Sequence, residues 1–153
     1  MKRGDRIAGA AVIGLVVCSV GAAALGKRAK DRKAAIHATA TVTATTELTF
    51  EDRGDGSVAV FGHPSGHEVA VLAPRSNGFV RGVMRGLFRA RKLGGHPRQA
   101  PFRIRRYSDG TLELLDPMTG RNIDLSSFGH DNQAAFADLM TAAAGSGARH
   151  AQR

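Results

Sequence analysis

The chain matches itself at a distance of 54 residues, and this limits its fold more than any other feature. The stretch FEDRGDGSVAVFGHPSGHEVAVL, from Phe50, aligns without a gap on IRRYSDGTLELLDPMTGRNIDLS, from Ile104. Asp55-Gly56 falls on Asp109-Gly110 and Ser65-Gly66 on Thr119-Gly120. Asp-Gly supplies the positive φ angles of a two-residue hairpin turn. Ser/Thr-Gly, with Pro64 or Pro117 upstream, supplies a second turn. Between the turns apolar residues alternate: Leu48, Phe50, Val58, Val60, Val69 and Val71, then Phe102, Ile104, Leu112, Leu114, Ile123 and Leu125. Alternation of this kind predicts antiparallel strands with one buried face. Each copy therefore reads as a three-stranded meander followed by a helix. Turns and apolar positions agree in register, which favours a pseudo-repeat over two unrelated meanders with similar turns. A lone meander has nothing on its apolar face and is marginal. The two are expected to cover each other as a sandwich or a small barrel.

The β-rich domain is placed at 47–143, with repeat one over 47–93 and repeat two over 101–143. Residues 26–46 read as a linker, basic at first and then Ala/Thr-rich. The second helix lies in DNQAAFADLM, where Asp131 or Asn132 can cap it and Phe136, Leu139 and Met140 form a core-facing stripe. The polar, Gly-containing end, 144–153, is expected to be a disordered tail.

The helix of repeat one, NGFVRGVMRGLFRAR, has an unusual rhythm. Gly78, Gly82 and Gly86 recur every fourth residue, as do Arg81, Arg85 and Arg89. Phe79, Val83 and Leu87, with Val80, Met84 and Phe88, make a broad apolar strip. Each interior glycine costs about 1 kcal/mol relative to alanine, so the segment needs something pressed against it. One reading is an amphipathic helix on its own sheet with solvated arginines. The other is a docking surface for a membrane surface or a membrane-protein partner, with arginine offering paired donors to anionic head groups and carboxylates.

At the other end of the chain, residues 7–25, IAGAAVIGLVVCSVGAAAL, carry no charge. Nineteen helical residues span roughly 28 Å, close to the hydrocarbon core of a bilayer. Lys2, Arg3 and Arg6 precede the run and five Lys or Arg follow it closely. The segment reads as a retained transmembrane anchor after a short tail at 1–6; a cleaved signal peptide is the rival, disfavoured by length. Ala10, Gly14, Cys18 and Ala22 are spaced by four, and small residues at that spacing let another helix approach closely in lipid. The class is thus α+β, with one N-terminal transmembrane helix ahead of a mainly antiparallel β domain. By basic-residue count the positive-inside rule weakly favours a cytoplasmic C-terminal domain.

Formal net charge is +9, and one stretch supplies it: Arg75 to Arg106 holds ten Lys or Arg and no Asp or Glu. Such an excess fits an anionic membrane, an acidic protein or nucleic acid. Nucleic acid is the weakest of these, because the chain has one tyrosine, no tryptophan and no recognised motif. No catalytic constellation stands out and no cofactor is implied. His63 and His67 flank a turn, not one helix face, which is a poor start for a metal site. Phosphate-loop and nucleophile-elbow patterns are missing.

LTFEDRGDGSVAV, NGFVRGVMRGLFRAR, APFR, DGTLELLDPMTGRNIDL and SFGHDNQAAFADL together resemble the photosynthetic complex assembly proteins of purple bacteria, encoded near the reaction-centre H subunit. The likeness covers about residues 47–140, plus the general layout of the N-terminal span. His130-Asp131 stands where the resemblance leads one to expect Pro-Thr before the helix. The resemblance implies a non-enzymatic inner-membrane protein with its folded domain on the periplasmic side, opposite to the charge count. Its implied role is to help build or reorganise the reaction centre with its core light-harvesting antenna. Its implied partners are subunits of those complexes and membrane lipids. The motif residues that carry over are Gly78, Phe79, Arg81, Gly82, Arg85, Gly86, Leu87 and Arg89, with Asp116-Pro117 and Thr119-Gly120-Arg121. Two rivals stand beside an assembly factor: a stoichiometric structural subunit of the finished complex, and a bacteriochlorophyll carrier.

Overall fold

The two Asp-Gly turns close alike. Gly56 has φ 82 and Gly110 φ 81, conformations open to glycine and strained for other residues. Arg53 N donates to Ser57 O at 2.9 Å, and Tyr107 N to Thr111 O at 3.0 Å. Asp55 Oδ1 accepts from Ser57 N at 2.8 Å, and Asp109 Oδ1 from Thr111 N at 3.0 Å. The second turns match as well: Gly66 N donates to Gly62 O at 2.8 Å and Gly120 N to Asp116 O at 2.9 Å. Their φ angles are 68 and 69.

The computed structural model describes residues 40–150, with side chains through residue 146. Repeat one consists of β1 (Val42–Asp52), β2 (Val58–His63), β3 (Glu68–Leu72) and helix α1 (Gly78–Leu93). Repeat two consists of β4 (Phe102–Tyr107), β5 (Leu112–Asp116), β6 (Arg121–Asp124), a 3-10 turn (Leu125–Phe128) and helix α2 (His130–His150). All strand pairs are antiparallel, in the order β3-β2-β1-β4-β5-β6.

This corrects the expected fold class. The meanders do not face each other as a sandwich or barrel; they join edge to edge through β1 and β4 in one open six-stranded sheet. The apolar face that would have driven sandwich formation is covered instead by the helices. Leu48, Phe50, Val60, Phe102, Ile104, Leu112 and Leu114 of the sheet pack with Val80, Met84 and Leu87 of α1 and Phe136, Leu139 and Met140 of α2 in one core. Burying each such side chain contributes about 1.5–3 kcal/mol. The expected transmembrane helix at 7–25, with its small residues Ala10, Gly14, Cys18 and Ala22, lies outside the described residues. Among the described residues no helix is long and apolar enough to cross a membrane.

Leu48 pairs with Phe102, its own counterpart 54 residues on. An approximate two-fold axis therefore passes between them, normal to the sheet, and the meanders run outward from it. The helices cross over: α2 packs on β3, and α1 runs beside Arg121–Ile123 of β6.

Four further differences from expectation have simple causes. Strand β1 starts at Val42, inside the expected linker, because its β-branched Thr and Val residues pair with β4. In β3, Leu72 and not Val71 faces the core, since Leu72 pairs with Val58 and Val71 with Ala59. Val71 is 45% exposed. Helix α2 begins at His130 behind Gly129, so Asp131 lies within the first turn, where its charge complements the helix dipole. The helix then continues to His150, past the boundary set at 143.

Alanine at Gly110 meets no neighbouring atom within 4 Å, so its cost is conformational. Gly110→Ala is expected to lower stability by about 1–2 kcal/mol in urea unfolding.

Candidate functional site

The basic stretch singled out in the sequence is built around α1. Its buried stripe is Val80, Met84, Leu87 and Arg91, the spacing of one helical face. Phe79 packs against Phe136 at 6.0 Å and Phe128 at 5.2 Å between ring centroids, and Phe88 packs against Phe102 at 5.3 Å.

The arginine ladder divides by role. Arg81 turns inward. Its Nε donates to Ser76 O at 2.9 Å, and its Nη2 reaches Leu72 O at 2.9 Å, Ala73 O at 2.7 Å and Gly56 O at 3.1 Å. It thus fastens the start of α1 to the end of β3 and to the Asp-Gly turn. Gln133, also the fourth residue of its helix, does the same in repeat two, donating to Gly110 O at 2.8 Å. Arg85 and Arg89, by contrast, are exposed and have no hydrogen-bond or ion-pair partner among the described residues.

Gly78, Gly82 and Gly86 lie on the outer face of α1 with Arg85 and Arg89. A Cβ built on any of the three glycines meets nothing within 4 Å. The glycines therefore make no room for another part of the described fold. Beyond Gly82 and Gly86, a shallow groove of about 350 Å³ runs between α1 and Arg121–Ile123. Leu93, at the end of the same face, is 79% exposed. Of the residues expected to dock, Gly78, Gly82, Arg85, Gly86 and Arg89 share this open surface; Arg81, Leu87 and Phe79 serve packing instead. The remaining four, Ala10, Gly14, Cys18 and Ala22, lie outside the described residues.

The sequence reading missed Arg91. It is 1% exposed and pairs with Asp116, at 0%. Arg91 Nε donates to both carboxylate oxygens at 3.0 and 3.1 Å, and Nη2 to Oδ1 at 2.8 Å. Arg91 Nη1 donates to Arg98 O at 3.0 Å and Ala100 O at 2.6 Å. The guanidinium stacks 3.6 Å from the centre of the Phe102 ring. Asp116 also accepts from Met118 N at 3.0 Å and Thr119 Oγ1 at 2.9 Å. Burial pushes the Asp116 carboxyl up, but the hydrogen bonds from Arg91, Thr119 and Met118 outweigh it and hold the group below its usual value. The signal was present. Arg91 continues the apolar stripe of α1, and Asp116 continues the inward alternation Leu112, Leu114 of β5.

The uncovered face of the sheet is polar. Glu47 accepts from Arg103 Nε at 3.0 Å and Nη2 at 2.7 Å, and lies 3.1 Å from His63 Nδ1. The Arg103 hydrogen bond is foremost in lowering Glu47 and, with His63, outweighs burial. Such partly exposed cross-strand pairs contribute little to stability. Among the described residues no group of three His, Cys, Asp or Glu could hold a metal ion.

Residues 43–144 match the family described as photosynthetic complex reorganisation protein PuhC. The chain belongs to this family. The matched segment takes in nearly all of the sheet, α1 and most of α2. The chain is also similar to an uncharacterised 17.4 kDa protein encoded in the puhA 5′ region of Rhodobacter capsulatus. The two are 33% identical over 86 residues, 56% of this chain and 52% of the relative. The match thus spans about half the relative's length. No solved structure matches.

Two outcomes follow from this geometry. Asp116→Asn leaves the Arg91 charge buried without its counter-ion and is expected to cost about 3–5 kcal/mol in denaturant unfolding. Because the folded carboxyl is the more acidic, its stabilisation is complete above the unfolded value of about 3.9 and is lost as pH falls through the folded value. The wild-type Tm should therefore fall in acid more steeply than that of the variant. Separately, Gly82→Ala and Gly86→Ala point a methyl into open space and should each raise stability by up to about 1 kcal/mol.

Proposed function

We propose that the protein is an assembly factor for the photosynthetic reaction centre and its core light-harvesting antenna, acting by docking and without catalysis. The outer face of α1 carries the reading. It combines three glycines whose side-chain positions are open, two arginines without partners among the described residues and the exposed Leu93. A fold that needed this helix only as cover for its sheet would gain stability from alanine at each glycine. Glycine instead keeps the helix axis accessible, and the nearby arginines suit a carboxylate-bearing partner. The occupant we assign is a helix of a photosynthetic-complex subunit with acidic residues along one edge, lying in the groove beside β6. In this reading the place of action is the inner membrane, with the domain on the periplasmic side; family membership supports the tie to photosynthetic complexes.

The test replaces the chromosomal copy in a photosynthetic host with Gly82→Leu/Gly86→Leu. The purified variant should fold with a Tm at or above the wild-type value, since leucine is the better helix former and the positions are open. Membranes from the mutant should contain less assembled core complex, read from their near-infrared absorbance. Wild-type levels of complex from a folded variant would overturn the docking surface, and wild-type levels in a deletion strain would overturn the function.

A further inference from the structure

On the other edge of α1 from the glycine groove, a cavity of about 500 Å³ lies between the helix and the β1–β2 side of the sheet. This volume is within the roughly 300–1,000 Å³ of small-molecule sites. Its walls are Phe50, Val58, Leu72, Val80, Met84 and Phe88. The first five belong to the buried core and form the floor of the cavity, while Phe88 is more open.

The rim is basic. Arg85, Arg89 and Lys92 from α1 border it, with His96 and Arg98 from the following loop. Asp52 is the one carboxylate among the described lining residues, and it is bound to Arg98. Arg81 and Arg91 also reach the cavity, but backbone carbonyls and Asp116 occupy their donors. Arg85, Arg89 and Lys92 have no partner among the described residues. Three like charges thus stand unanswered along one helix edge, above an apolar hollow.

Each simple occupant answers half of this chemistry. Water gains little from apolar walls. A free phosphate meets the cations and leaves the hollow empty. An acidic peptide meets them too, but would place polar backbone against phenylalanine and valine without partners. We infer that the cavity binds an anionic amphiphile, with its acyl chain over the apolar floor of Phe50, Val58 and Met84 and its acid head on Arg85, Arg89 and Lys92. The same chemistry is offered by a free long-chain acid and by an acidic lipid.

The assignment does not rest on the docking reading, although both use Arg85 and Arg89, so an acid head and an acidic partner helix would compete for these two side chains. Purified full-length protein is titrated with dodecanoate below its micellar concentration, by calorimetry and by displacement of a fluorescent fatty acid. Dodecyl maltoside supplies the same chain with a neutral head, inorganic phosphate the head alone, and polyglutamate an acidic peptide. Saturable binding of dodecanoate, with the three comparators much weaker, is expected. Neutralising the rim with Arg85→Gln/Arg89→Gln/Lys92→Gln, all exposed positions, should weaken it roughly tenfold or more. Val58→Phe fills the cavity and should abolish it; should that variant misfold, the rim variant still decides. Gly82→Leu/Gly86→Leu should leave it intact, even where core-complex assembly is lost. Binding to phosphatidylglycerol vesicles that dodecanoate competes away would assign the chain to a bilayer lipid, and acid binding without vesicle binding would assign a free acid. Equal binding by maltoside or polyglutamate, an unaffected rim variant, or vesicle binding that Val58→Phe leaves unchanged would overturn the proposal.

Discussion

The ion pair between Arg91 and Asp116 is the constraint on which the arrangement of this domain depends. It joins the helix of the first repeat to a strand of the second, and the same guanidinium gathers the carbonyls of the loop that leads back into β4. A buried pair is not stabilising merely by being a pair, because desolvation offsets most of the attraction. Here, hydrogen bonds to both partners offset that cost: Asp116 takes further donors from Met118 and Thr119, and Arg91 lies flat on Phe102. What the pair fixes is position. It sets how far α1 lies across the sheet, and hence where the glycine face and the basic edge are presented.

Around that node the two repeats differ in instructive ways. Both place a long side chain from the fourth helical residue onto the carbonyl of their own Asp-Gly turn, Arg81 in one and Gln133 in the other. At the position equivalent to Asp116, however, repeat one has Gly62, with no side chain to bury. The approximate symmetry thus extends to the turns, the strands and the helix starts, and it ends at the ion pair. Basic residues follow the same division. Glycine and arginine crowd α1, whereas α2 carries alanine at many of its places and covers the core with Phe136, Leu139 and Met140.

Much of the local structure was legible. Asp-Gly and Ser/Thr-Gly marked all four turns because only a few residues tolerate the required φ, and alternation marked the strand faces except in β3. The relation between the meanders was not legible. An apolar face announces that it must be covered, and says nothing of whether a second sheet or a helix will cover it. The Ala/Thr run before Glu47 reads as linker by composition, yet Thr and Val there pair with β4. On α1 the four-residue arginine rhythm suggested one ladder with one role. Only three dimensions separate Arg81, held by carbonyls, from Arg85 and Arg89, held by nothing in the described fold. Arg91 escaped notice because it breaks that rhythm, although the break is what placed it on the apolar stripe.

Helix α1 contains three glycines and would be weak in isolation. Arg81 bolts its first turn to β3, and Arg91 bolts its last to β5. The stretch between is held taut like a string over two bridges. A molecule arriving at this helix finds it already ordered, so the entropy lost on association falls mainly on the newcomer.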